Sequence, residues 1–354
     1  MEKKKIILTG GGTAGHVIPN LALIPALKSA GFEIFYIGSH EGIERGLIES
    51  AEIPYFGISS GKLRRYINLK NITDVFRVVK GIGDALRIIR RIRPDIIFSK
   101  GGFVVVPVIA ASRILRIKSV IHESDITPGL ANKLAIPITN KVCVSFPETL
   151  EHVPKDKSIL TGTPIRPELL KGNRLAGFKY TKLTDNGKPV LLVTGGSQGA
   201  MAINKCIREL LPEILNNFQV VHLCGKGNLS RNVYSGYAEF EYVNEAMPDI
   251  LTMADVVISR AGANTIFELL ALQKPNLLIP LPLEVSRGDQ ILNAESFKRQ
   301  GFSMVLEEKE MTPERLKKDI RLLYDTRSTF QKRMSNFKGI DGIAKIMDVL
   351  LSKV

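Results

Sequence analysis

Tryptophan is absent from the 354 residues, aromatic residues make up only 6%, and there are three cysteines. Cys143, Cys206 and Cys224 stand singly in apolar stretches, without the spacing of a zinc site or a disulfide framework, so buried, reduced thiols and a cytosolic setting are expected. No run reaches the roughly 18 apolar residues of a spanning helix. The opening MEKKKIILTG passes from lysines straight into a strand, with no apolar signal-peptide core. Any membrane contact should therefore be peripheral.

What is present fits an aliphatic α/β protein: 44% of residues are hydrophobic, and the length suits two domains, each able to bury its own core. The formal charge is +14. Residues 1–163 hold 23 Lys and Arg against 14 Asp and Glu, so the basic excess leans toward the N-terminal half. Nucleic acid, an anionic membrane and phosphorylated ligands all remain open on charge alone.

Short β-branched runs alternate with helical patterns at residues 5–8, 33–37, 54–58, 95–99, 118–121 and 141–144. The rhythm restarts at 189–194 and continues at 220–223, 256–259, 276–280 and 303–306. This predicts two doubly wound, Rossmann-like parallel sheets, spanning 1–163 and 189–339, with ligands handled in a cleft between them. Residues 164–188, rich in Gly, Asn, Asp and Lys, read as a linker or hinge. A last helix over 340–354 is assigned to neither domain.

Glycine turns follow three of the strands. Gly10, Gly11, Gly12, Thr13, Ala14 and Gly15 lead into a helix opened by His16; Gly101 and Gly102 follow Lys100; Gly195, Gly196 and Gly199 open the second half. Such turns let a phosphate approach backbone N–H groups at the positive end of a helix. The first also satisfies the dinucleotide fingerprint, but the second strand ends Ile37, Gly38, Ser39, His40, without the carboxylate that would hold a ribose. Any one turn serves equally well as a tight connection. His16 reads as a chemical group or a helix cap, and Glu268 as a cleft residue or a glutamate favoured by the helix dipole. Asp289, Gln290 and Asn293 open a helix and suit hydrogen bonding to a sugar.

At these positions the chain resembles the lipid I N-acetylglucosaminyltransferases, peptidoglycan enzymes of glycosyltransferase family 28 and the GT-B class. The motifs occur in family order nearly end to end: GGGTAGHVIPNLALIPAL at 10–27, KGGFVVVPV at 100–108, HESDITPGLANK at 122–133, GTPIR at 162–166, GGSQGA at 195–200 and SRAGANTIFEL at 259–269. The resemblance implies an inverting transfer of N-acetylglucosamine from UDP-N-acetylglucosamine to the muramoyl C4 hydroxyl of lipid I. It places uracil at the backbone near Val243, the ribose on Glu268, and phosphate on Ser197 and Thr265, with Arg166 beside the nucleotide. Ala263, Asn264, Asp289, Gln290 and Asn293 would line the sugar, closed over by Thr13, Ala14 and Gly15. Asp125 stands where some members place an Asn near that sugar, and Ala14 replaces a frequent glycine. The acceptor diphosphate would rest on Gly11, Gly12, Gly101 and Gly102. His16 is the expected general base and Glu123 the reserve. No obligatory cofactor and no bound metal are implied, although a divalent metal could stimulate the reaction.

Residues 62–93 carry ten Lys or Arg against Asp74 and Asp84. Apolar residues recur between them at helical spacing, and Ile72, Val75, Phe76 and Val79 are expected to touch an anionic membrane, with the later part packing inward. Nucleic acid is disfavoured: the segment has few aromatics and no recognised binding motif occurs. A transferase acting on diacylglycerol, and a non-catalytic sugar-nucleotide-binding protein, are the remaining rivals.

Overall fold

Ile6 and Leu8 enter one apolar cluster and Ile7 another, the alternation expected of a strand buried on both faces. The computed structural model describes residues 3–61, 70–196, 200–230, 233–337 and 341–352. The chain divides into two compact units, Met1–Arg166 with Asp341–Val354, and Pro167–Ile340.

In the first unit the elements run β1 (Lys5–Thr9), α1 (Ala14–Ser29), β2 (Glu33–Ser39), α2 (Ile43–Glu49), β3 (Tyr55–Ile58), α3 (Lys70–Ile92) and β4 (Ile96–Ser99). They continue with α4 (Val105–Ile114), β5 (Lys118–Glu123), α5 (Leu130–Ala135), β6 (Lys141–Val144) and β7 (Ser158–Leu160). The strands form a parallel sheet in the order β3-β2-β1-β4-β5-β6-β7. The order reverses between β1 and β4, so their carboxyl ends flank the crevice where doubly wound sheets take ligands. Both strands run directly into glycine turns. Ala85, Ile89 and Ile92 of α3 are buried with Val105 and Ile109 of α4, so the later part of α3 packs inward. Earlier on the helix Phe76 is 71% and Val79 61% exposed. The side chains of Ile72 and Val75 lie outside the described residues.

The second unit comprises α6 (Arg174–Thr181), β8 (Val190–Thr194), α7 (Met201–Ile214), β9 (Gln219–Leu223), β10 (Tyr237–Phe240), α8 (Met247–Met253) and β11 (Val256–Ser259). After these come α9 (Ala263–Ala271), β12 (Asn276–Leu278), α10 (Asp289–Arg299), β13 (Ser303–Val305), α11 (Pro313–Asp325) and α12 (Arg327–Ser335). The parallel order is β10-β9-β8-β11-β12-β13, with its reversal between β8 and β11.

One expectation changes, and the place of the last helix, left open by the sequence, is seen. The segment 164–188 is not a structureless linker: a 3-10 turn occupies Pro167–Lys171 and α6 follows, with Asn173 capping it by accepting from the Ala176 N–H at 3.0 Å. Phe178 is buried among Val190, Ile250 and Met253, which makes α6 part of the second unit. The last helix, α13 (Gly342–Leu351), crosses back to the first unit, where Ile346, Met347, Val349 and Leu350 complete the cluster around Leu23 and Leu27 of α1.

Candidate active site

In the first unit, neighbouring elements hold the opening turn from below. The Tyr36 hydroxyl on β2 donates to the Gly10 carbonyl at 2.7 Å, and the buried Asn20 amide on α1 donates to the Thr9 carbonyl at 3.1 Å. Glu44 on α2 is fully buried; its carboxylate accepts the Gly12 N–H at 3.1 Å, the Ser39 N–H at 2.9 Å and the Ser39 hydroxyl. The Gly11 N–H donates to the Gly101 carbonyl at 3.3 Å. The N–H groups of Gly11 and Gly12 are thus engaged within the protein, one of them on a carboxylate. What the glycines permit is contact between the two turns. Gly102 has φ +89, and a Cβ there would lie 2.1 Å from the Gly11 carbonyl oxygen. Thr13 and Gly15, at the positive end of α1, remain on the exposed side.

His16 lies on that side with Nδ1 3.0 Å from the Gly11 carbonyl and 3.1 Å from the Thr13 hydroxyl. A carbonyl only accepts, so Nδ1 carries the hydrogen and Nε2 is the basic nitrogen. Gly101, at φ +110, gives that nitrogen room, because a Cβ there would come within 3.3 Å of Nε2.

Glu123 is differently placed from what a base requires. It is 5% exposed, and one carboxylate oxygen accepts the N–H groups of Ser124 (2.8 Å) and Asp125 (3.0 Å). The other takes Gly129 N–H (3.0 Å) and the Asn132 amide (2.8 Å). Four donors commit it to shaping the loop between β5 and α5. Glu123→Ala strands them, and a loss on the order of 3 kcal/mol in stability is expected by denaturant unfolding. Unchanged stability with abolished turnover would return Glu123 to the role of base. The same loop fixes half-buried Asp125, whose carbonyl accepts from the Thr149 hydroxyl at 3.2 Å. His122 is fully buried; its Nε2 donates to the Gly162 carbonyl at 2.9 Å, bolting HESD to GTPIR. Arg166, half-buried, is the last residue of the first unit before the crossing.

In the second unit, Ser197 lies outside the described residues. Asn264, Thr265 and Glu268 fall on one half-buried stripe of α9, while Ile266, Phe267, Leu269 and Leu270 form its buried face. Ala263 is buried at the helix start. Arg260 is 8% exposed, donates to the carbonyls of Ile279 (3.1 Å) and Pro280 (3.3 Å), and pairs with Glu308, tying together the carboxyl ends of β11 and β12. Of the residues expected on the sugar, Gln290 Oε1 accepts the Leu281 N–H (3.1 Å) and fully buried Asn293 donates to the Ala261 carbonyl (3.3 Å). Both therefore shape the rim. Asp289 pairs with Arg287 at 3.2 Å. Val243 buries its side chain in the core.

Three features escape a sequence reading. Glu44 carries no motif, since it acts on Gly12 from 32 residues away. A buried network at β9 and β10 links Asn204, His222, Tyr237, Glu239 and Arg208 and anchors the turn after β9 through Ser230. Burial pushes His222 down to about 4, so it is neutral in that network at ordinary pH. Lys100, 1% exposed, donates to the Ser124 hydroxyl; a lysine closing a buried parallel strand was the available signal. The cysteines are inert by contrast, burial pushing the Cys143 and Cys206 thiols up to about 12 and about 11.

Two doubly wound parallel sheets, one in each unit, make the GT-B fold. The glycosyltransferase family 28 N-terminal domain matches residues 6–144 and the family 28 C-terminal domain residues 190–349. The chain belongs to glycosyltransferase family 28. A relative from Clostridium botulinum (strain Langeland), UDP-N-acetylglucosamine--N-acetylmuramyl-(pentapeptide) pyrophosphoryl-undecaprenol N-acetylglucosamine transferase, is 57% identical over 349 residues, 98% of each chain. A Lachnospira eligens protein of the same name is 56% identical over the same shares. Among solved structures, Acinetobacter baumannii MurG superposes with TM-score 0.76 at 24% identity, covering 98% of both chains. A UDP-GlcNAc 2-epimerase from Neisseria meningitidis, bound to UDP-GlcNAc, gives 0.70 at 14% identity, covering 98% of this chain and 99% of that one. The epimerase shares the fold with a different chemistry, so the fold alone does not fix the reaction.

Proposed function

We propose that this chain transfers N-acetylglucosamine from UDP-N-acetylglucosamine to the muramoyl C4 hydroxyl of lipid I, the undecaprenyl-diphospho-muramoylpentapeptide. Inversion at the anomeric carbon gives lipid II for peptidoglycan, and with it cell shape and division. The observation that carries the reading is the 57% identity, across 98% of both chains, with a transferase of that name. His16 supports it chemically. With Nδ1–H held by the Gly11 carbonyl, Nε2 takes the proton from the attacking hydroxyl as the bond to UDP breaks. Glu268 holds the uridine ribose, Thr265 and Ser197 take phosphate, and the positive end of α9 stabilises the departing diphosphate without an obligatory metal. Labelled UDP-N-acetylglucosamine with a water-soluble lipid I analogue tests the reaction: disaccharide is expected. UDP release by hydrolysis alone, or transfer to diacylglycerol instead, would overturn it.

The acceptor is lipid-linked, so the enzyme works at the cytoplasmic face of the cell membrane. Among the described residues no helix is long and apolar enough to cross a membrane. Exposed Phe76 and Val79 beside exposed Arg77 and Lys80 support peripheral docking by the start of α3. Phe76→Asp with Val79→Asp is expected to weaken binding to anionic vesicles while sparing turnover of the soluble acceptor. Each nearby basic residue contributes about 1 kcal/mol at such a surface, so added salt should weaken wild-type binding too. Unchanged vesicle affinity in the double variant would remove α3 from the membrane surface.

A further inference from the structure

We propose that Lys100 is a positioning residue for the transfer: its buried ammonium holds the Ser124 hydroxyl and sets one fixed positive charge beneath the glycine turns, toward the acceptor's diphosphate. The inference rests on the transferase reading, which supplies the diphosphate acceptor.

Lys100 is where three motifs join. Its N–H donates to the Thr9 carbonyl at 3.0 Å, and the carbonyl of the next residue, Gly101, accepts the Gly11 N–H. Its Nζ donates to the Ser124 hydroxyl, on the loop that Glu123 shapes. The charged and titratable groups around it are Glu123 and Asp125 from β5 and its loop, Cys143 on β6, and His122 on β5. His122 is kept neutral by burial and by Lys100 itself, which pushes its pKa further below the ordinary value. Without the ammonium, Glu123 and Asp125 would leave its surroundings negative, against a dianionic ligand. An apolar side chain would fill the same space without the desolvation penalty of a buried charge, and such a penalty is characteristic of functional sites. Burial lowers the Lys100 pKa to about 8, against the pull of the two carboxylates. The charge is therefore present at neutral pH and lost as the solution turns alkaline.

The test measures acceptor and donor KM with the soluble analogue from about pH 6.5 to about pH 9.5, alongside the 13Cε signals of labelled lysine. In the wild type, acceptor KM should rise about tenfold across a break near the Lys100 midpoint while donor KM stays flat. Lys100→Met should show the raised acceptor KM already at neutral pH, without the break. Ser124→Ala keeps the charge but removes its partner, and should move the break to lower pH and reduce kcat. Inorganic pyrophosphate should raise the midpoint of the Lys100 13Cε signal, a readout that needs no turnover. Parallel changes in donor and acceptor KM in Lys100→Met, or none, would overturn the proposal. So would a Lys100 signal titrating in the ordinary lysine range or blind to pyrophosphate. If Lys100→Met does not fold, the wild-type titration and Ser124→Ala decide. Absence of transfer by the wild type at every pH would instead count against the reaction, and the pyrophosphate titration would still read the charge.

Discussion

Turnover of His16→Ala should fall by about two to four orders of magnitude, with donor affinity little changed, as expected for loss of a general base. The geometry makes the expectation specific. Nδ1 is held by the Gly11 carbonyl and the Thr13 hydroxyl, so the ring is oriented before any acceptor arrives. Thr13→Ala removes only the weaker tether and should cost much less, chiefly in kcat. A His16→Ala deficit confined to acceptor KM would show that the imidazole helps bind the acceptor and that the proton leaves by another route.

Glu268→Ala should reduce donor kcat/KM by about ten- to a hundredfold, the equivalent of roughly 1.5–3 kcal/mol in charge-assisted hydrogen bonds to the ribose. Acceptor binding should be spared. Glu268 stands one turn beyond Asn264 and Thr265 on the half-buried stripe of α9, away from its buried face. A donor carrying 2′-deoxyuridine should be poor for the wild type and nearly equivalent to the normal donor for the variant. The two donors and two enzymes form a double-mutant cycle. Additive losses would leave Glu268 as a glutamate favoured merely by the helix dipole.

The parallel α/β architecture was legible because interior strands are continuous apolar runs: IILT, IIFS and VVIS lie in the middle of their sheets. The edges were not. β7 and β10, SIL and YAEF, are short and partly exposed, so nothing in their hydropathy separates them from loops. α6 went unread because eight residues with Gly177 among them hardly define a helical period, and its burial depends on a helix about 70 residues further on. Glycine fixed the location of the turns, since few other residues tolerate their backbone. The direction of each N–H was illegible, because Glu44 and Gly101 decide it from distant positions. In the same way HESD marked a loop correctly while hiding that Glu123 builds it. Lys100 offered the one signal that a stricter reading would have caught.

The return of α13 to the first unit bears on how the chain is made. The face of β1 and α1 that receives Ile346 and Leu350 is synthesised long before the helix that covers it. At about 5–20 residues per second, the intervening 175 or so residues take roughly 10–35 s to synthesise. Throughout that interval the nascent first unit leaves an apolar strip uncovered, while the second unit, continuous from residue 167 to 340, can close its own core on the ribosome. The unit whose strands are made first is thus the last to be finished.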